Sequence, residues 1–198
     1  MITTCLFDLG GVLFTNGTKK FIKELSISHK IPEDKLREVI DGEIGSLYRE
    51  SKITRDNFWK KVIEILHLPE SANTLEKKWI DGYEIISGTR EIIIELSKEY
   101  KVFYLSDNVK ERVDSLNNKF DFIRLFKGGI FSHEAGVRKP NPKIYEFALH
   151  KSNSKPEETI FIDDKPHFLE PAKKLGIETI LFTTPEELRE RLLERQLI

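Results

Sequence analysis

A single cysteine, Cys5, in a chain of 198 residues excludes an internal disulfide and with it the whole class of disulfide-stapled scaffolds. Cys5 lies in an apolar run and reads as a buried, inert thiol. Charge of one sign is also lacking: 32 basic and 33 acidic side chains leave a formal net charge of −1. Without a basic excess nothing is available to neutralise a polynucleotide backbone, so no nucleic-acid partner is expected. No apolar stretch reaches the roughly 18 residues that a bilayer span needs, so no membrane partner is expected. The opening MITTCLFDLGG lacks the basic start and long apolar segment of a secretory leader, and the expectation is a soluble, cytoplasmic protein. A chain of this length buries roughly 70% of its unfolded surface and needs no staple or structural metal to fold. One compact domain, or one domain carrying a smaller insert, is expected.

Repeats and low-complexity tracts are absent as well. Hydrophobic patterning divides the chain into three parts. Thr3 to Phe7 form a short apolar, β-prone run ended by Asp8 and two glycines, which predicts a buried strand and a tight loop. Residues 15–88 carry helical periods. Phe21, Ile22 and Leu25 share one face, Leu36, Val39 and Ile40 a second, and Thr54 reads as the N-cap before a stripe of Phe58, Val62, Ile65 and Leu66. Tyr48, Phe58, Trp59, Trp79 and Tyr83 read chiefly as the core of this helical part. Gly42 and Gly45 interrupt it, and a flexible, substrate-facing loop is expected over 42–45.

From residue 89 onward the pattern alternates. Strands are expected over 102–105, 129–131, 159–162 and 177–182, with helices over 90–99, 109–118, 142–150, 168–175 and 185–195. Such alternation predicts an α/β fold with a Rossmann-like, doubly wound parallel sheet. The expected organisation is a core made of 1–14 and 89–198, with a helical-bundle cap inserted over 15–88. Ligands of such sheets bind beyond the carboxyl ends of the strands.

Polar residues stand just beyond each expected strand. Asp8, Gly10 and Gly11 come after the first; Ser106 and Asp107 after the second; Lys139 after the third; Asp163 and Asp164 after the fourth. Three carboxylates brought together would repel one another, and some would be forced neutral. A divalent cation removes that conflict, and an all-oxygen ligand set with few carboxylates suits Mg²⁺. Cation and Lys139 together can hold a dianionic phosphate beside a carboxylate. Gly10 and Gly11 let the backbone come close to the phosphate oxygens, and the Ser106 hydroxyl can donate another hydrogen bond. Asp8 is then the natural nucleophile, forming an aspartyl-phosphate. His133 and His167 fall in the third and fourth loops, where each could reach a substrate but is more often a bystander.

The segments FDLGGVLF, YLSDN, GVRKP and FIDDK, in this order and each ending an expected strand, resemble the four motifs of the haloacid dehalogenase-like hydrolase superfamily. The resemblance covers essentially the whole chain and is greatest to the members with a helical cap after the first motif. Among these it is most similar to small phosphatases acting on glucose 1-phosphate and related sugar phosphates. It implies Asp8 as nucleophile and Lys139 as the charge balancing nucleophile and phosphate. It implies phosphate contacts from Leu9, Gly10, Gly11, Ser106 and Asp107. It also implies a Mg²⁺ site made of Asp8, the Gly10 carbonyl and Asp164, with Asp163 beside it. The implied function is a phosphatase on a small phosphorylated metabolite.

Three positions depart from the superfamily pattern. Gly10 stands where many members carry a second aspartate, the acid/base, whose loss costs about 10²- to 10⁴-fold in rate. Asp107 comes after Ser106 where an asparagine is usual; it adds negative charge beside a phosphate or takes over the lost acid/base role. Phe168 replaces an Asn or Asp that usually supports the metal and lysine. Two other functions stay open on the sequence alone: a non-catalytic binder of a phosphorylated ligand or a protein, and a metal-free dehalogenase.

Overall fold

The computed structural model describes residues 1–198. Five strands, β1 (Thr4–Phe7), β2 (Lys101–Ser106), β3 (Gly128–Phe131), β4 (Thr159–Asp163) and β5 (Glu178–Leu181), form one sheet in the order β3-β2-β1-β4-β5. Every pairing is parallel. The central strands read as continuous apolar runs because both of their faces are covered. In β1, Leu6 faces one apolar cluster while Cys5 and Phe7 face the other, the two-residue period of a strand.

Five helices lie between β1 and the rest of the sheet: α1 (Gly17–His29), α2 (Glu33–Asp41), α3 (Glu43–Arg49), α4 (Arg55–Leu66) and α5 (Ala72–Asp81). Six more alternate with the strands: α6 (Ser87–Leu96), α7 (Lys110–Phe120), the short α8 (Ser132–Ala135), α9 (Pro142–Ser152), α10 (Pro166–Lys174) and α11 (Pro185–Glu194). Residues of α9 and α10 pack with Leu6, Phe103, Leu105 and Phe161 on one face of the sheet. Residues of α6, α7 and α11 pack with Cys5, Phe7, Ile160 and Ile162 on the other, and this cluster continues into the inserted helices. Thr54 caps α4 as expected, accepting the Asn57 N–H at 3.3 Å. Tyr48, Phe58, Trp59 and Trp79 are buried and form an aromatic cluster; the Tyr48 and Phe58 rings stack 4.5 Å apart. No helix is long and apolar enough to cross a membrane.

The two connections to the inserted helices run side by side. The Thr15 N–H donates to Glu84 O at 2.9 Å and the Ile86 N–H to Leu13 O at 2.8 Å. Two chain passages are thereby tied together next to the loop after β1.

One expectation is overturned. Residues 42–45 form no flexible loop: Gly42 ends α2, and Glu43 to Gly45 open α3. A Cβ at Gly45 would collide with Ile40 O and the Arg49 guanidinium. Gly45 therefore lets two successive helices approach closely, a packing requirement that sequence reading mistook for flexibility.

Candidate active site

Parallel register brings separate loops to one place. Phe7 lies beside Tyr104 on one side and Ile162 on the other, so β1, β2 and β4 end nearly level. The Asp8 N–H donates to Ile162 O at 2.9 Å, which extends the ladder one residue and fixes where the Asp8 side chain leaves the sheet. The chain then turns sharply. Leu9 O accepts the N–H groups of Leu13 and Phe14 at 3.0 and 2.8 Å, and the Gly11 N–H donates to Phe14 O at 2.7 Å. Gly11 adopts φ +97°, and a Cβ there would fall on the Asp164 carboxylate. This turn needs glycine twice over, for conformation and for space. The Leu9 side chain is buried, so only its backbone can face a ligand. The N–H groups of Leu9 and Gly10 donate to no protein acceptor.

Lys139 is 1% exposed, and its ammonium lies 2.9 Å from Asp8 Oδ1 and 2.5 Å from Asp163 Oδ2. The Phe168 ring packs 4.9 Å from the Lys139 Nζ. Asp163 is fully buried, and its second oxygen accepts the Lys165 N–H at 2.9 Å. One oxygen from each of Asp8, Asp163 and Asp164 comes within 4.8 Å of the other two. Asp164 Oδ1 is buried with no hydrogen-bond partner.

The electrostatics arise from this packing. Burial disfavours the Lys139 ammonium, but Asp163 and Asp8 outweigh that and hold its pKa above the ordinary lysine value. Burial pushes the Asp163 carboxyl up to about 7 against the pull of Lys139, with Asp8 adding to the rise. Burial and the neighbouring Asp8 raise Asp164 as well. One ammonium among three carboxylates leaves an excess of negative charge. The orphaned Asp164 oxygen marks where a further cation would sit. An all-carboxylate donor set fits a hard divalent ion.

Asp8, Gly10, Ser106, Asp107 and Lys139 line one cleft of about 180 Å³ between the sheet edge and the inserted helices. Asp107 meets the third loop through both of its carboxylate oxygens. One of its oxygens accepts the Arg138 Nε–H at 3.1 Å, and the other accepts the Lys139 N–H at 3.0 Å. With both oxygens so engaged, Asp107 holds the third loop in place, and its charge is balanced by Arg138. His133 and His167 do not line the cleft. His133 stacks on Phe131 at 5.4 Å, with Nδ1 at 3.2 Å from Asn108 O, and His167 packs against Phe168 at 4.2 Å.

A family model described as haloacid dehalogenase-like hydrolase matches residues 6–182. The chain belongs to that family. This haloacid dehalogenase-like hydrolase is 24% identical over 193 residues to a D-ribitol-5-phosphate phosphatase of Bacteroides thetaiotaomicron, covering 90% of this chain and 91% of that protein. It is 33% identical over 101 residues to a glyceraldehyde 3-phosphate phosphatase of Pyrococcus furiosus, covering 49% of this chain and 41% of that protein. A family enzyme of Bacteroides thetaiotaomicron solved as its magnesium complex superposes with TM-score 0.78 at 25% identity, covering 92% of this chain and 94% of that one.

Sequence reading missed part of the site of this haloacid dehalogenase-like hydrolase. Arg49, Asn108, Arg112 and Arg138 also line the cleft, beside Tyr83. Asn108 and Arg138 sit inside the motifs YLSDN and GVRKP, so position alone could have flagged them. Arg49 and Arg112 carry no local signal, because only the docking of the inserted helices buries them.

Proposed function

We propose that this hydrolase is a Mg²⁺-dependent phosphomonoesterase acting on a small sugar or polyol phosphate through an aspartyl-phosphate on Asp8. The observation that carries the reading is the meeting of Asp8, Lys139, Asp163 and Asp164, which are remote in sequence, at one sheet edge. The names of the relatives, phosphatases of a polyol phosphate and a triose phosphate, agree with it.

The donor set fits Mg²⁺: Asp8 and Asp164 would hold it with the Gly10 carbonyl, and Asp163 would support it from behind while gripping Lys139. The bound cation would offset phosphate charge and the mutual repulsion of the carboxylates. Lys139, 2.9 Å from Asp8 Oδ1, holds the nucleophilic carboxylate oriented. The free N–H groups of Leu9 and Gly10 and the Ser106 hydroxyl point to a cradle for phosphate oxygens. An Asp8 oxygen attacks phosphorus, the ester P–O bond breaks, and the leaving alkoxide takes its proton from water, since Gly10 offers none. Water then attacks the phosphorus of the acyl phosphate, inorganic phosphate departs, and Asp8 is regenerated. Leaving groups that need little protonation, such as the anomeric oxygen of glucose 1-phosphate, suit a site with glycine at position 10. A metal-free dehalogenase has no use for Asp164, whose buried oxygen lacks any protein partner.

Phosphate release from a panel containing glucose 1-phosphate, ribitol 5-phosphate and glyceraldehyde 3-phosphate tests the reading. Release that needs Mg²⁺, stops with EDTA and vanishes in Asp8→Asn is expected. Release unaffected by EDTA or retained in Asp8→Asn overturns it.

A further inference from the structure

The cleft holds one deeply buried cation that no carboxylate of the protein answers. Arg112, on α7, is 3% exposed and lines the same cleft as Asp8. Its Nε and Nη2 are buried and make no hydrogen bond, and no carboxylate lies within ion-pair distance of its guanidinium. The Trp79 ring covers the guanidinium face at 3.9 Å and the Tyr83 ring lies at 5.3 Å. Stacking satisfies the face of a guanidinium but leaves its in-plane N–H donors unmet. Leaving such buried donors unmet is costly, more so when the group is charged.

Three other cations of the cleft are answered by carboxylates, while the half-buried Lys165 packs its Nζ over the Phe168 ring at 5.2 Å. Arg49 reaches Asp41 at 2.5 Å, Arg138 reaches Asp107 at 3.1 Å, and Lys139 sits between Asp8 and Asp163. Glu111, the neighbour of Arg112 in sequence, is engaged by the Tyr48 hydroxyl at 2.8 Å. The surroundings of Arg112 are themselves positive. Burial would raise the Asp41 carboxyl, yet Arg49, Lys165, Arg138 and Arg112 together hold it below its ordinary value. An anion entering this end of the cleft would meet a preformed, dry and unpaired guanidinium.

We infer that the phosphomonoester turned over here carries a second anionic group, a carboxylate or a second phosphate, and that Arg112 receives it. The inference rests on the phosphatase reading for the position of the first phosphate, beside Asp8 and Lys139. Both anionic groups then share one cleft of about 180 Å³, which suits a small sugar-acid or polyol-acid phosphate, or a small bisphosphate. The Trp79 stack keeps the guanidinium plane fixed, so an anion that reaches it costs little side-chain freedom on binding.

Matched pairs test this. 3-Phosphoglycerate is compared with glycerol 3-phosphate, and propane-1,3-diyl bisphosphate with 3-hydroxypropyl phosphate, in wild type, Arg112→Met and Arg112→Lys. The wild type is expected to favour the doubly anionic member of at least one pair by roughly 10- to 100-fold in kcat/KM, through KM. Which pair shows it decides between carboxylate and phosphate. Arg112→Met is expected to bring the ratio of kcat/KM between the two members to about one, whatever its effect on the shared rate, and Arg112→Lys to restore part of the ratio. An equal loss for both members in Arg112→Met would make Arg112 a mere pin between α7 and Trp79 and overturn the inference. So would a wild type that favours the singly anionic member. If no substrate turns over, the phosphatase reading fails separately. Calorimetric binding of the same pairs to Asp8→Asn protein, with Mg²⁺, then still decides whether the second anion is recognised.

Discussion

Asp107 accepts the backbone N–H of Lys139 at 3.0 Å, so the side chain next to Ser106 fixes the main chain of the central lysine. Its other oxygen takes Arg138 at 3.1 Å. Loop two thereby holds loop three, and the ammonium of Lys139 arrives between Asp8 and Asp163 as a consequence.

This arrangement separates a positioning role from an acid/base role. Asp107→Asn keeps an oxygen for the Lys139 N–H and is expected to retain most activity, with an unshifted pH–rate profile. Asp107→Ala loses both contacts and is expected to cost about 1–3 kcal/mol in urea unfolding, with a larger fall in kcat. A pH limb that disappears in Asp107→Asn would return Asp107 to acid/base duty.

Removing the Lys139 charge leaves two buried carboxylates facing each other. Lys139→Met is expected to abolish phosphatase activity and to destabilise the fold by about 3–5 kcal/mol. Added Mg²⁺ is expected to recover part of that stability, because the same charge excess can be met by a divalent ion. Denaturant curves with and without Mg²⁺ measure it; unchanged stability in Lys139→Met would contradict the charge argument.

The orphaned Oδ1 of Asp164 makes a different prediction for the metal itself. Mg²⁺ at about 100-fold over its Kd is expected to stabilise the wild type by about 2.7 kcal/mol. Asp164→Asn removes a charge that burial and the neighbouring Asp8 disfavour, so the metal-free protein is expected to be as stable as the wild type or more so. The stabilisation by Mg²⁺ should be almost gone. Thermal unfolding across a Mg²⁺ series reads both effects, and an undiminished Mg²⁺ shift in Asp164→Asn would remove it from the ligand set.

Much of this architecture was legible because a doubly covered parallel strand has to be apolar throughout. TCLF and TIFID announce β1 and β4, and the polar residues just beyond them announce the site. What was not legible depends on contacts between elements. Gly45 looks like a loop residue until α2 and α3 press Ile40 O against it. Arg112 sits in KERVDSLNNKF, a helix whose pattern reads as a solvated face, and it is buried only because Trp79 of α5 docks over it. The ties of Asp107 to Arg138 and to the Lys139 N–H join residues about 30 positions apart, with no local spacing rule to suggest them.

Cys5 links burial to alkaline stability. Burial in β1 pushes its thiol up to about 12, whereas an exposed thiol ionises near 8.5. The unfolded chain therefore loses this proton first as pH rises. Stability is fully present below about pH 8.5 and declines up to about pH 12, where the folded thiol also ionises. Tyr104, raised to about 12 by burial, contributes in the same direction. Urea midpoints are expected to fall across this range, less steeply in Cys5→Ala. Native protein at pH 8 is expected to resist iodoacetamide until it unfolds; rapid labelling of folded protein would show an open β1.

The two glycines after Asp8 are expected to respond oppositely to substitution. At Gly10 a Cβ would meet no atom within 4 Å, and the backbone is not left-handed. Gly10→Asp should therefore fold normally and place a carboxyl two residues beyond the nucleophile, near the leaving oxygen. Turnover of glycerol 3-phosphate, a poor leaving group, is expected to rise by about 10²- to 10⁴-fold. Glucose 1-phosphate, which needs less protonation, should gain far less. Gly11→Ala faces both a φ of +97° and the Asp164 carboxylate, and is expected to lower the melting temperature and weaken Mg²⁺ stabilisation together. Steady-state rates on the two substrates, with melting curves for each variant, check the contrast. A Gly10→Asp protein that folds and binds Mg²⁺ but gains nothing on glycerol 3-phosphate would mean that the wild type already draws its acid from elsewhere in the cleft.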